Sequence, residues 1–287
     1  MNRWIIGARP RTLPAAVVPV AIGAACAVGL DDDVVWWRVA LALIVSLALQ
    51  VGVNYANDYS DGVRGTDDVR VGPQRLVASG LAPASAVKRA AFAAFGVAAL
   101  AGLAVALTTS LWLLVVGVAA IAAGWFYTGG SHPYGYMGLG EVFVFVFFGL
   151  VATVGTTYAA VETVTGLSIV MGSAAGALAC ALLVINNLRD IPTDREVGKR
   201  TLAVRLGDRR TRWFYVALLG LAFVLVGVAA LDRTWVVLAL LAIPLAVAPV
   251  KLVLSGATGP ALIAVLGETG RLQLVFGALA TVGLVLG

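Results

Sequence analysis

What most constrains this chain is a succession of nine apolar runs separated by polar breaks, at 13–30, 35–57, 86–107, 111–128, 137–161, 167–187, 213–231, 234–250 and 272–286. Runs of roughly 20 apolar residues match the hydrocarbon thickness of a bilayer. In lipid every backbone N–H and C=O must be satisfied within the protein, so such runs become helices. Composition agrees: 61% of residues are hydrophobic and 12% charged, with a mean hydropathy of +0.97, against roughly 25% charged in an ordinary soluble domain. A water-soluble globule is excluded. The chain is predicted to be an all-α integral membrane protein, a single transmembrane domain over 1–287 with nine spans. The first run follows Arg3, Arg9 and Arg11 as a secretory leader would, but eight more runs follow, so it is expected to be a retained helix. Residues 2–9 are expected at the headgroup level. Cys26 and Cys180 lie inside apolar runs and read as small core residues.

Alternating nine spans from a cytoplasmic N-terminus puts 18 of the 20 Lys and Arg residues on the cytoplasmic side, leaving Arg38 and Arg233 outside. Basic residues collect on that side of membrane proteins, so the split supports the count and the orientation together. The expected location is a multi-pass cell membrane protein with N-terminus and active site cytoplasmic and C-terminus outside. The net charge of +5 is therefore a topology signal. Nucleic acid is not an expected partner, because no stretch is long enough to form a basic soluble domain.

Two polar clusters break the apolar pattern. The second run ends in Asn54, Asn57, Asp58 and Asp61, and the sixth in Asn187, Asp190 and Asp194. At about 100° per residue each set lines one helix stripe roughly 100° wide. Four helices separate the clusters, which suggests an internal duplication. Pro192 falls within the second set and is expected to end or kink its helix, leaving Asp194 in a loop. Carboxylates at membrane depth cost a few kcal/mol each unless compensated. Two Mg²⁺ ions, the four carboxylates Asp58, Asp61, Asp190 and Asp194, and a diphosphate balance once about three cationic side chains are added. Asn54 and Asn187 add neutral oxygen ligands. Arg64, Arg75, Lys199 and Arg200 follow the clusters and are the candidate diphosphate-binding cations. Asp67 and Asp68 are candidates to extend the metal site.

The segment Asn57-Asp58-Tyr59-Ser60-Asp61 through Asp67, with Gly72-Pro73-Gln74-Arg75-Leu76-Val77, resembles the first aspartate motif of the UbiA superfamily of intramembrane prenyltransferases (54–67 here). Asn187-Leu188-Arg189-Asp190-Ile191-Pro192-Thr193-Asp194-Arg195-Glu196, followed by Gly198-Lys199-Arg200-Thr201, resembles the second (187–196). Further matches are Ala8-Arg9-Pro10-Arg11-Thr12, Tyr127-Thr128-Gly129-Gly130 and Gly138-Leu139-Gly140-Glu141. The resemblance points to the branch acting on 1,4-dihydroxy-2-naphthoate in menaquinone synthesis. No Lys or Arg follows Tyr127 in Thr128-Gly129-Gly130-Ser131-His132, whereas hydroxybenzoate-using members tend to carry a basic pair there.

The resemblance implies a UbiA-type bundle of nine helices with two pseudo-repeated aspartate helix ends. The implied reaction is Mg²⁺-dependent transfer of a polyprenyl group from polyprenyl diphosphate to 1,4-dihydroxy-2-naphthoate with decarboxylation, giving demethylmenaquinol. The four aspartates are then catalytic, two Mg²⁺ ions are the expected cofactor, and Arg9, Arg11, Tyr127 and Glu141 are candidates to receive the aromatic acceptor. The expected partners are these two substrates and the lipid bilayer, and a homo-oligomer is compatible with the pattern. A prenyltransferase using hydroxybenzoate or homogentisate is the alternative within the family. A secondary transporter would usually place ionisable residues mid-helix, and here they stand at helix ends. A phosphatidyltransferase would need a further glycine and two aspartates at fixed spacing soon after Asp61-Gly62-Val63-Arg64, and this chain lacks that spacing.

Overall fold

The polar breaks become the turns of an all-helical bundle. The computed structural model describes residues 2–30, 33–66 and 74–287. In order, the helices are α1 (Arg3–Ala8), α2 (Pro14–Ala27), α3 (Trp36–Arg64), α4 (Ala84–Thr108), α5 (Trp112–Phe126), α6 (Gly140–Val144), α7 (Ala152–Val161), α8 (Gly166–Glu196), α9 (Leu202–Leu206), α10 (Asp208–Ala229), α11 (Ile243–Leu254) and α12 (Ala261–Leu286). A π-helical segment, Phe145–Val151, joins α6 to α7, and a 3₁₀ segment, Thr234–Ala242, leads into α11.

Among the described residues, seven helices are long and apolar enough to cross a membrane: α3, α4, Gly140–Val161, α8, α10, Thr234–Leu254 and α12. The segment Arg3–Thr12 with Pro14–Ala27 makes an eighth if this pair, bent by 50°, is one span. The fourth predicted span is α5, an apolar helix of 15 residues, shorter than a full crossing.

The helix α8 lies at the centre, with 78% of its apolar window buried. Lipid tails are as apolar as leucine, so helices associate through close packing and interhelical hydrogen bonds. Small residues permit it here. Gly149 of the π-helical segment meets α8 so closely that a Cβ there would stand 2.5 Å from the Cα of Gly176. Likewise a Cβ on Gly23 of α2 would lie 2.3 Å from the carbonyl oxygen of Thr153. The Thr157 hydroxyl donates to the Gly23 carbonyl at 2.7 Å, and the Ser46 hydroxyl of α3 to the Ala16 carbonyl at 2.8 Å. Large apolar side chains such as Leu100, Trp112, Val118, Leu231 and Leu241 are exposed, as lipid-facing surface requires.

Contacts sort the connections into two ends. At one, Arg38 pairs with Glu162 at 2.7 Å and donates to the Thr108 carbonyl, and Arg233 donates to the Val28 carbonyl at 3.0 Å. At the other, Arg3 reaches the Leu81 carbonyl at 3.0 Å, Arg64 reaches the carbonyls of Thr128 and Gly130, and Arg212 reaches those of Val253 and Ala257.

Two expectations are corrected. Pro192 does not end its helix: α8 continues to Glu196, so Asp194 is helical. The proline stands one turn from the end, where buried Leu188, Ile191 and Asp194 hold the backbone and the Lys199 N–H caps the Asp194 carbonyl at 2.8 Å. The last helix begins at Ala261, well before the apolar run at 272. Glu268 and Arg271 face outward, while Leu262, Val265, Thr269, Leu272 and Phe276 turn inward at helical spacing.

Candidate active site

Two long helices run past their apolar stretches and carry the carboxylates into one place. The αL conformation of Gly65, with φ of 71°, ends α3 just beyond Asp61. Asp61, Asp190 and Asp194 are 5%, 8% and 8% exposed, and all three line a polar cavity of about 130 Å³. Asn57, Asn187, Arg9, Arg75, Lys199 and Tyr136 share its walls. The sequence-predicted residues are thus brought together from α3, α8, the α1–α2 junction and two loops.

Hydrogen bonds fix the charges. Lys199 Nζ donates to Asp61 Oδ1 at 3.2 Å, and the Tyr136 hydroxyl donates to the same oxygen at 2.6 Å. Burial works against the Lys199 ammonium, but Asp61, with Tyr136 and Asp194, outweighs it and lifts its pKa above the usual lysine value. An ammonium with a raised pKa keeps its ion pair through neutral and mildly alkaline pH, and that contribution is lost as pH climbs through the raised value. Arg189 grips the neighbouring Asp190 through two hydrogen bonds, of 2.6 and 2.8 Å. A carboxylate has about four lone-pair sites, and these bonds take two of them on Asp61, both at Oδ1, and two on Asp190, one at each oxygen.

Other predicted residues stand outside the cavity lining. Asn54 joins α3 to the N-terminal segment, donating to the Ala8 carbonyl at 2.9 Å and to the Thr12 hydroxyl at 3.0 Å. Asp58, fully buried, accepts the backbone N–H groups of Leu76 and Val77. Arg64 is exposed, tied to the loop after α5 and lying over the Tyr136 ring. Arg200 is exposed, and its backbone N–H donates to the Tyr136 carbonyl at 3.0 Å. Glu141, 5% exposed, accepts from Asn187 Nδ2 at 2.9 Å through one oxygen, and among the described residues no hydrogen-bond partner meets the other. Arg9, by contrast, does line the cavity; it has φ of 52° at the end of α1, and its guanidinium reaches the Asn54 carbonyl. Asp67 and Asp68 lie outside the described residues.

A second, apolar cavity of about 530 Å³ continues from the first. Asn57, Tyr127, Leu183 and Asn186 line both. Arg11 and Gln50 stand on the apolar one, which is walled mainly by small and aliphatic residues of α2, α3, α4, α5, α7 and α8 with Phe143, Phe147 and Phe148.

Such a double chamber, charged at one end and oily at the other, suits an amphiphile with an anionic head and a hydrocarbon tail. A sequence model of the UbiA prenyltransferase family matches residues 16–261. The chain belongs to that family. It is 53% identical over 281 residues to the 1,4-dihydroxy-2-naphthoate octaprenyltransferase of Mycobacterium tuberculosis, covering 98% of this chain and 96% of that protein. With the enzyme of the same name from Escherichia coli it shares 38% identity over 268 residues, covering 88% and 84%. The structure of a UbiA homologue from Archaeoglobus fulgidus bound to GPP and Mg²⁺ superposes with a TM-score of 0.68 at 16% identity, covering 100% of both chains. This UbiA-family chain is therefore a multi-pass membrane protein with the family's all-helical fold.

Among the described residues no three Asp, Glu, His or Cys side chains converge as an all-protein metal cage. The donor set fits a different arrangement. Mg²⁺ usually takes one or two protein carboxylates and fills its octahedron with water and phosphate oxygens. Asp61 on one wall and Asp190 and Asp194 on the other offer that to an ion shared with a diphosphate.

Sequence reasoning missed Tyr136, Arg189 and Thr128. Tyr136 sits in a single 3₁₀ turn, Tyr134–Met137, too short to show a periodicity in the sequence. Arg189 read as one of many basic residues near a helix end. Thr128, whose hydroxyl donates to Asn57 Oδ1 at 2.8 Å, carried no charge to mark it.

Proposed function

We propose that this chain transfers a polyprenyl group from polyprenyl diphosphate to 1,4-dihydroxy-2-naphthoate, with loss of CO₂, giving demethylmenaquinol. The observation that carries the reading is the junction at Asn57, Tyr127, Leu183 and Asn186, where the carboxylate-lined cavity opens into the apolar one. A diphosphate held in the first chamber leaves its isoprenoid chain in the second and its scissile C–O bond at the junction. Full-length identity of 53% to a naphthoate octaprenyltransferase supports this acceptor.

Mg²⁺, two ions in this proposal, supplies Lewis-acid stabilisation of the diphosphate leaving group when bound, with Asp61, Asp190, Asp194, Asn57 and Asn187 as the residues to hold it. Arg75, Lys199 and Arg9 line the same chamber and offset the remaining negative charge. Departure of diphosphate leaves an allylic cation, and the apolar walls keep water from it. The electron-rich ring attacks at the carbon bearing the carboxylate. Loss of CO₂ from that carboxylate then returns the bonding pair to the ring and restores aromaticity. Arg11 lines the apolar chamber and in this proposal pairs with the acceptor carboxylate, and Tyr127 lines both chambers. Glu141 supports the acceptor side through Asn187. Arg64 and Arg200 brace the loop that carries Tyr136.

In this reading the bent N-terminal pair and α5 complete nine crossings, and the end bearing α1 and the polar cavity is cytoplasmic, as the 18 basic residues indicate. Purified protein in detergent, given Mg²⁺, a polyprenyl diphosphate and, in parallel, dihydroxynaphthoate, hydroxybenzoate or homogentisate, should prenylate the naphthoate with release of CO₂. Faster turnover of either other acceptor would overturn the assignment.

A further inference from the structure

Asp58 belongs by sequence to the same acidic stripe as Asp61, yet its carboxylate performs a different task. It is fully buried and is not among the residues lining the polar cavity. Its Oδ2 accepts the N–H of Leu76 at 2.8 Å and its Oδ1 the N–H of Val77 at 3.0 Å. Those two amides directly follow Arg75, whose buried side chain does line the cavity. Residues 74–82 form turns rather than helix, so their N–H groups have no ladder to satisfy them. Two consecutive peptide planes held by one carboxylate fix the backbone on the C-terminal side of Arg75, and with it the direction in which that side chain leaves the chain. The rest of the segment is anchored to match. The Leu76 side chain is fully buried against Gly7 and Tyr55, the Leu76 carbonyl accepts the Ala82 N–H at 3.0 Å, and the Arg75 carbonyl accepts from the Ser79 hydroxyl.

We infer that Asp58 is a positioning residue: it orders the 74–82 segment so that Arg75 meets the diphosphate, and metal ligation on α3 falls to Asp61 and Asn57. This rests on the proposed reaction for its kinetic consequence, while its structural consequence can be read without any turnover. A negative charge is suited to the task because hydrogen bonds from backbone N–H to an ionised acceptor are shorter and stronger than neutral ones.

The test uses the full chain in detergent, with geranylgeranyl diphosphate as the isoprenoid, and the variants Asp58→Ala, Asp58→Asn, Asp61→Asn, Arg75→Gln and the double variant Asp58→Ala with Arg75→Gln. Amide exchange at Leu76 and Val77 should speed up at least about 10-fold in Asp58→Ala, since local opening there no longer breaks two bonds. Asp58→Asn keeps one carbonyl acceptor and should fall between, which preserves the test if the alanine variant folds poorly. KM for the diphosphate should rise on the order of 10-fold in Asp58→Ala, with the Mg²⁺ half-saturation unmoved, whereas Asp61→Asn should shift the latter. In the Arg75→Gln background the Asp58 substitution should add little. A Mg²⁺ half-saturation that moves as far in the Asp58 variants as in Asp61→Asn would overturn the inference in favour of ligation. Unchanged exchange at Leu76 and Val77, or fully additive effects with Arg75→Gln, would equally overturn it. Failure of wild-type turnover with dihydroxynaphthoate would instead count against the proposed reaction, with the exchange measurement still deciding the role of Asp58.

Discussion

At the scale of single residues, the site is a set of shared hydrogen bonds around few carboxylates. Asp61 Oδ1 accepts hydrogen bonds from both Lys199 and Tyr136, and the Tyr136 ring has Lys199 at 4.6 Å and Arg64 at 5.4 Å from its centroid. Removing the phenol should loosen Asp61 without unfolding anything. Tyr136→Phe is expected to raise the Mg²⁺ half-saturation and lower turnover by roughly 10-fold, the usual cost of losing a hydrogen bond to a metal-binding side chain. An unchanged metal titration in that variant would disconnect Tyr136 from Asp61. The cations divide by chamber. Lys199→Gln should impair use of the diphosphate, and Arg11→Gln should raise KM for dihydroxynaphthoate more than it lowers kcat, because contacts equal in ground and transition states act on binding. KM values for both substrates in both variants check this, and an acceptor KM that is unmoved in Arg11→Gln would remove that residue from the acceptor site.

At the scale of elements, close approach matters more than apolarity. Gly149 and Gly176 let the π-helical segment and α8 touch backbone to backbone, and a methyl at Gly149 has backbone, not a yielding side chain, in its way. Gly149→Ala should therefore force the helices apart and destabilise the bundle by about 1–3 kcal/mol, the usual cost of overpacking. Thermal unfolding in detergent measures it. Gly220→Ala on α10, where a Cβ meets nothing within 4 Å, is the control and should leave the melting temperature unchanged or slightly raised. Equal melting temperatures for Gly149→Ala and wild type would show that this crossing tolerates a wider spacing.

At the scale of the whole molecule, function depends on which end faces the cytoplasm. The polar cavity and the N-terminal helix share one end, and Arg38, Glu162 and Arg233 mark the other. A cysteine at Ser79 should react with a membrane-impermeant thiol reagent added from the cytoplasmic side, and one at Thr109 with reagent added from outside. The two native cysteines, Cys26 and Cys180, are buried and should contribute little labelling. The reverse pattern at the two sites would invert the orientation.

The sequence alone determined that the chain is helical and lies in a membrane, because backbone satisfaction in lipid leaves few other forms for so many apolar runs. It also determined that the second and sixth runs end in acidic stripes, since helical spacing is local and Asn57, Asp61, Asn187, Asp190 and Asp194 show it directly. Local spacing does not show what distant packing imposes. Pro192 looked like a helix end, and tertiary packing around Leu188 and Ile191 carried the helix past it. Glu268 and Arg271 masked the start of the last helix, because an outward-facing polar residue breaks an apolar run without breaking a helix. Asp58 and Asp61 are alike in the sequence, three residues apart on one helix. Only the fold decides that one carboxylate faces the peptide planes after Arg75 and the other a cavity shared with Asp190 and Asp194. A side chain's role is set by which distant backbone packs against it, and that is a property of the three-dimensional arrangement.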